Sequence, residues 1–192
     1  MKELFAVSAA LLALIGHIPY IVGIFRGQVR PHLYTWLIGS IVSLIVIGGQ
    51  FVKGAGVGIL PTLVTGVFTV SICALSLKYG YRSITRSDRI FLFAALACGI
   101  PWLMTDDPTL SIIMAVSIDV IAYAPTIRKT WREPSTESPV LYSANLVRHL
   151  LALLAMEQYN VATTLHSVAM IGTNLIMVGT LALRKNRDRA TK

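Results

Sequence analysis

Pro19-Tyr-Ile-Val-Gly-Ile-Phe-Arg26 and Pro125-Thr-Ile-Arg-Lys-Thr-Trp-Arg132 match at proline, isoleucine, aromatic and arginine under one constant offset of 106 residues. After a two-residue insertion the match resumes, with Pro31-His-Leu-Tyr34 over Pro139-Val-Leu-Tyr142 at an offset of 108. Leu75-Ser-Leu-Lys78 and Leu181-Ala-Leu-Arg184 return to 106, as do Gly66 and Gly172. The chain therefore contains a duplicated unit, residues 4–78 and 109–184, and each copy spans three apolar stretches. Two similar three-helix halves packed face to face in a membrane enclose a site near the bilayer midplane, which is the architecture of a transporter.

The composition agrees with a membrane setting. The 192 residues are 55% hydrophobic with a mean hydropathy of +0.68, too apolar for a soluble domain. A bilayer core of roughly 30 Å needs about 20 helical residues. Seven stretches qualify: 4–25, 33–52, 59–77, 88–105, 109–127, 139–156 and 161–183. They leave no length for a soluble domain, so residues 1–192 read as one all-α membrane domain. A cleaved signal peptide is the alternative for the first stretch, because Lys2 precedes an apolar run. No small-residue cleavage site stands before His17-Ile-Pro19, and cleavage would remove part of the first copy. Cys73 and Cys98 fall inside apolar stretches and offer neither a disulfide framework nor metal-ligand spacing; no cofactor motif is present.

The net charge of +8 is a matter of position. Arg26, Arg30, Lys78, Arg82, Arg86, Arg89, Arg128, Lys129, Arg132, Arg184, Lys185, Arg187, Arg189 and Lys192 all fall at one end of the helices. The other end receives Lys2 and Lys53 with Glu3, Asp106, Asp107 and Glu157. Short loops rich in Lys and Arg stay cytoplasmic, which predicts an integral cell-membrane protein with its N-terminus outside and C-terminus inside. The basic balance then reports orientation and contact with anionic lipid, and nucleic-acid binding is not expected.

An odd number of passes fixes how the copies relate. Two three-helix units joined directly would be inverted. One linking helix over 88–105 restores a parallel relation, giving a 3+1+3 order. Pro101 is expected to bend the outer end of that helix, and Trp102 suits the interface. Gly54-Ala-Gly56-Val-Gly58 is read as a tight turn, since no strand precedes it and no Lys-Ser/Thr follows.

Pro19 and Pro125 occupy equivalent places near the basic end of the first helix in each copy. A proline there removes a backbone hydrogen bond, so each either terminates its helix or serves as a hinge. The segment from Pro125 to Pro139, with Ser135-Thr136-Glu137 at its end, resembles the PQ-loop motif of the SWEET, SemiSWEET and PQ-loop transporter superfamily. In that superfamily a helix-ending proline precedes a basic loop and a Ser-Thr-Glu-like start to the next helix. The glutamine that names the motif is Tyr20 in the first copy and Thr126 in the second, so the relationship is a distant one. The resemblance implies seven helices with the N-terminus outside. It also implies an asparagine on the third helix of a copy that binds substrate, a role that falls on Asn174. Its counterpart in the first copy is Phe68.

Asp119, Arg148 and His149 are the most costly residues to place in a membrane, at least about 2.5–3.5 kcal/mol for a charge at a helix centre. At about 1.5 Å per residue, Asp119 and Arg148 both lie near the midplane. An Asp119–Arg148 ion pair is the simplest expectation, either structural or as a coupling device in which a carboxylate released from its arginine takes a proton. His149 and His166 are each either packing residues or cavity lining. The grouping of Asp119, Tyr123, Arg148, His149 and His166 favours a cavity. Tyr123 and its counterpart His17 are well placed to face a solute. Asn145 either adds a polar contact or bonds helix to helix. Trp36, Trp102 and Trp131 map near membrane boundaries and are read as anchors, so no aromatic platform for a sugar is evident.

The polar set is concentrated in the second copy, which predicts an asymmetric site for a small polar or anionic metabolite. The expected function is a secondary carrier or facilitator working by alternating access, with a proton-coupled form open. A receptor or interaction protein on the same scaffold is the alternative. An intramembrane enzyme is not expected, because no Gly-x-Ser-x-Gly, His-Glu-x-x-His or paired catalytic aspartate motif is present. The lipid bilayer is the expected surrounding, and association into a homo-oligomer is left open.

Overall fold

The computed structural model describes residues 1–81 and 85–190, with side chains described through Arg184. Arg82, Lys192 and the side chains of Lys185, Arg187 and Arg189, assigned above to the basic end, lie outside the described residues. The protein is all-helical. Its elements are α1 (Lys2–Phe25), α2 (Leu33–Val52), α3 (Leu60–Tyr79), α4 (Arg86–Ala97), α5 (Ile100–Thr105), α6 (Pro108–Ala122), α7 (Ala124–Arg132), α8 (Pro139–Ala155) and α9 (Val161–Ala190). Taking α4 with α5 and α6 with α7 gives seven helical segments. Six are long and apolar enough to cross a membrane; α8, with 17 residues, is apolar but shorter.

Sequence signals set the helix boundaries. Pro108 and Pro139 sit in the first turns of α6 and α8, where a missing N–H costs nothing. Asp107 and Ser138 precede them, and each side chain accepts a hydrogen bond from a first-turn N–H. Thr85 and Asp88 bond reciprocally as a capping box that starts α4. The Ser135-Thr136-Glu137 element itself forms no α-helix: Pro134–Thr136 is a 3-10 turn, and α8 begins after Ser138.

The linking pass is not one helix. It breaks between Ala97 and Ile100, with Pro101 in the first turn of α5, so the proline starts the second piece rather than bending the end of a single one. The two hinge candidates differ as well. Pro125 follows the break at Tyr123 that separates α6 from α7, whereas Pro19 lies inside the continuous α1.

Neighbouring helices form a closed ring in the order α1, α3, α2, α6, α9, α8 and back to α1. The α4 helix packs outside it against α2 and α6. Where α1 meets α8, Ala6, Ala9, Ala13 and Gly16 are buried at helical spacing, and small residues of this kind let helix backbones approach closely. A Cβ on Gly16 would stand 3.2 Å from the Ala144 methyl. Buried apolar residues form two clusters. One joins Ile38, Val42 and Val46 of α2 to Ile112 and Val116 of α6. The other joins Tyr20 and Ile24 of α1 to Leu141, Tyr142, Met177 and Leu181 of α8 and α9. Large apolar side chains such as Leu11, Ile15, Val67 and Leu154 point outward, while many polar groups are buried. That distribution suits an apolar surround.

Both ends are tied across the ring. At the end carrying Lys53 and Asp107, the turn at Gly54 and Gly56 has positive φ at both glycines, +76° and +57°. It packs on the α8–α9 loop, where the Glu157 N–H donates to the Ala55 carbonyl and Asn160 Nδ2 donates to the Lys53 carbonyl. Lys53 also reaches Asp107 at 3.2 Å. Hydrogen bonds from Thr109, with Lys53 beside them, hold the Asp107 carboxyl down to about 2, so this clasp stays ionised at neutral pH. At the basic end the Arg30 N–H donates to the Thr136 carbonyl and the Tyr81 N–H to the Pro31 carbonyl.

Candidate functional site

A cavity of about 60 Å³ lies inside the ring, lined from α1, α2, α3, α6, α8 and α9. All eight polar residues singled out for solute contact or coupling reach it: His17, Asp119, Tyr123, Asn145, Arg148, His149, His166 and Asn174. Pro19 and Pro125 do not line it.

The bonding inside this cavity corrects the expected ion pair. No salt bridge joins Asp119 to Arg148 among the described residues. Equal depth along two helices does not place two side chains on facing sides. Arg148 Nε donates to Asn145 Oδ1 at 3.1 Å, and Nη2 lies 2.5 Å from His149 Nε2. A guanidinium only donates, so His149 Nε2 accepts and its Nδ1–H is directed at Ser167 Oγ, 3.3 Å away. Asp119 has His166 Nε2 for its nearest cationic candidate, 4.0 Å from Oδ2. The His149 and His166 rings meet edge to face at 5.5 Å. Two imidazoles therefore stand between the acid and the base, and a device that works by releasing Asp119 from Arg148 has no pair to release.

Three buried polar atoms on the cavity have no hydrogen-bond partner among the described residues: Asp119 Oδ1, His166 Nδ1 and Asn174 Oδ1. Asn174 Nδ2 donates back to the Met170 carbonyl at 2.7 Å, leaving its oxygen free for another donor. Asn145 is engaged by Arg148, so it positions the guanidinium. His17 donates from Nδ1 to the Ala13 carbonyl at 2.8 Å and stacks on Phe68 with ring centroids 5.1 Å apart. The residue that replaces an asparagine in the first copy thus supports the residue that replaces Tyr123.

Sequence reasoning missed two parts of the site. The first is the contribution of the first copy: Thr35, Trp36, Ser43, Thr65 and Thr69 all line the cavity. Trp36 is no boundary anchor; its ring packs on Tyr20 at 5.4 Å and edge-on to His17 at 6.5 Å. Thr65 and Thr69, one helical turn apart, were the available signal. The lining is less one-sided than the polar count predicted, although its charges still come from the second copy.

The second is a buried cluster at the basic end. Lys129 Nζ meets Glu137 Oε1 at 2.6 Å and also donates to the Arg30 carbonyl. Glu137 Oε2 accepts from Tyr142 at 2.9 Å and from Tyr20 at 3.4 Å. Tyr20 and Arg30 belong to the first copy, Lys129, Glu137 and Tyr142 to the second. Through Arg30 and Tyr20 this cluster bridges the two copies. Nearby, Thr35 of α2 donates to the Ala122 carbonyl at 3.1 Å and bonds Thr126 at 3.0 Å, which ties α2 to the break before Pro125. An open groove of about 470 Å³ runs along α7, lined by Ala124, Ile127, Arg128, Trp131 and Arg132.

Comparison with known proteins returns no match: no family model, no curated protein and no solved structure matches the chain. The chemistry of the site must be read from its own residues.

Proposed function

We propose that this chain is a multi-pass membrane carrier, a secondary transporter or facilitator related to the SWEET, SemiSWEET and PQ-loop superfamily. It moves a small polar metabolite by alternating access between two parallel three-helix halves. The observation that carries this reading is the convergence of polar side chains from six helices on one cavity with three unpartnered polar atoms. Buried polar groups are ordinarily satisfied, and orphans facing a common space suit a ligand that comes and goes.

The helix ring supports the 3+1+3 arrangement. Under the repeat offset α1 corresponds to α6 and α7, α2 to α8, and α3 to α9. The α1–α8 seam is then the counterpart of the α2–α6 seam, as a twofold axis along the membrane normal would require. The α4–α5 pass sits outside the ring, where a linker belongs. Loop charges orient the basic end to the cytoplasm. Contacts between the halves hold both ends of the ring, and transport requires those contacts to break in turn.

Proteoliposomes containing the purified protein test the reading with labelled glucose, lactate and alanine as probes. Saturable flux of at least one, lost in Arg148→Gln, is expected. Absence of saturable flux for all three, from protein shown to be folded, overturns it.

A further inference from the structure

Asp119 and Arg148 share one cavity without pairing, and that separation bears on what the cavity accepts. We propose that it binds a compact dipolar ion, with an ammonium group at Asp119 and a carboxylate at Arg148. The inference rests on the cavity being the solute site of the proposed carrier.

Both groups are buried, Asp119 with 4% of its surface exposed and Arg148 with 2%. Neither has an oppositely charged side chain in contact among the described residues apart from a histidine 4.0 Å from Asp119. Buried charges without counter-charges are strongly disfavoured, so a ligand that supplies them gains more than one that does not. A monoanion would neutralise Arg148 and add its own repulsion to Asp119. A monocation would do the reverse. A neutral polyol would leave both charges uncompensated. Only a solute with both signs leaves the cavity neutral and both side chains matched.

The bonding geometry agrees at each pole. On the cavity, Asp119 Oδ1 on α6 and Asn174 Oδ1 on the neighbouring α9 are acceptors without donors. An ammonium is a cluster of donors with no acceptor. Around the guanidinium, Nε and Nη2 are engaged by Asn145 and His149, and Nη1 has no hydrogen bond among the described residues. A carboxylate is its natural acceptor. The contacts run Arg148–His149–His166–Asp119, with the two imidazole rings 5.5 Å apart, and no direct ion pair joins the poles. Size sets the upper limit. A cavity of about 60 Å³ holds roughly four to six waters, which is the heavy-atom count of a small amino acid.

Titration calorimetry on the full chain in lipid nanodiscs at pH 7 tests the proposal with probes that differ only in charge. Alanine and β-alanine carry both charges, lactate only the anion, alaninamide only the cation, and lactamide neither. One of the two dipolar probes is expected to bind at least about tenfold more tightly than the other three classes, the change one charge-assisted contact makes. Asp119→Asn should abolish the preference over lactate, and Arg148→Gln the preference over alaninamide. Wild-type protein decides the matter even if a variant fails to fold. Equal or tighter binding of lactate, alaninamide or lactamide overturns the proposal, as does no binding of either dipolar probe. Flux is read separately: transport of lactate or glucose without dipolar-ion binding sinks this inference and leaves the carrier standing. Tight binding without flux does the opposite.

Discussion

Glu137 is the residue on which most of the basic end depends. Its carboxylate receives Lys129, Tyr142 and Tyr20, and the pair with Lys129 is buried on both sides. Removing one member of a buried pair strands the other, which costs about 3–5 kcal/mol, whereas replacing both with apolar groups is often neutral. Glu137→Ala should therefore destabilise the protein by about that amount in a reversible unfolding assay, and Lys129→Met with Glu137→Leu should restore most of it. Equal losses in the single and double variants would mean that the pair is not what matters there. A companion experiment addresses the cavity. Arg148→Gln and His149→Phe should show a coupling energy of about 0.5–3 kcal/mol in a double-mutant cycle, while Arg148→Gln and Asp119→Asn should add to within about 0.5 kcal/mol. Coupling in the second cycle and none in the first would restore the ion pair that the structure does not contain. Depth along a helix was legible in the sequence, since counting residues gives it; the direction a side chain takes around the helix was not. Asp119 and Arg148 accordingly line one cavity without pairing. Trp36 was misassigned for the same reason: position near a helix end says nothing of which way the ring turns.

The helices make their own statement about compliance. Pro125 has no N–H to offer the Ile121 carbonyl, and the chain breaks into α6 and α7 at Tyr123; Pro19 removes the same bond from α1, which nevertheless continues to Phe25. The difference lies in the neighbours. The α1 helix is held along α8 by its stripe of small residues, whereas at the α6–α7 break Thr35 donates to the Ala122 carbonyl and bonds the Thr126 hydroxyl. For the proposed carrier, we assign the working hinge to the second copy. Pro125→Ala should slow amide hydrogen exchange over residues 121–129, and Pro19→Ala should change exchange in α1 much less. Equal effects at both prolines would contradict the assignment. Gly16→Leu would drive a side chain into Ala144 and Leu141, where overpacking typically costs about 1–3 kcal/mol, and Gly172→Leu, with nothing near its Cβ position, should cost less. The equivalence of the two prolines was visible in the repeat. Their different behaviour was not, because it comes from helices distant in sequence.

At the scale of the whole molecule the all-helical build and its long apolar helices were readable in the sequence, since both follow from composition along one dimension. The ring order and the two end closures were not, because loops such as Gly54–Gly58 and Glu133–Ser138 acquire their role only when they meet. In the proposed carrier, alternating access would open those contacts in turn. The central claim is tested most directly by locking each end and probing the cavity between. In a background lacking Cys73 and Cys98, Ser43→Cys places a thiol in the cavity wall. A disulfide between Ala55→Cys and Glu157→Cys closes the Lys53 end, and one between Arg30→Cys and Thr136→Cys closes the basic end. Labelling of Ser43→Cys by a membrane-impermeant thiol reagent is measured in oriented proteoliposomes after oxidation. The account predicts labelling only from the basic end when the Lys53 end is locked, and only from the Lys53 end when the basic end is locked. Labelling from one fixed side whichever lock is set, or from neither side in the unlocked protein, would contradict it.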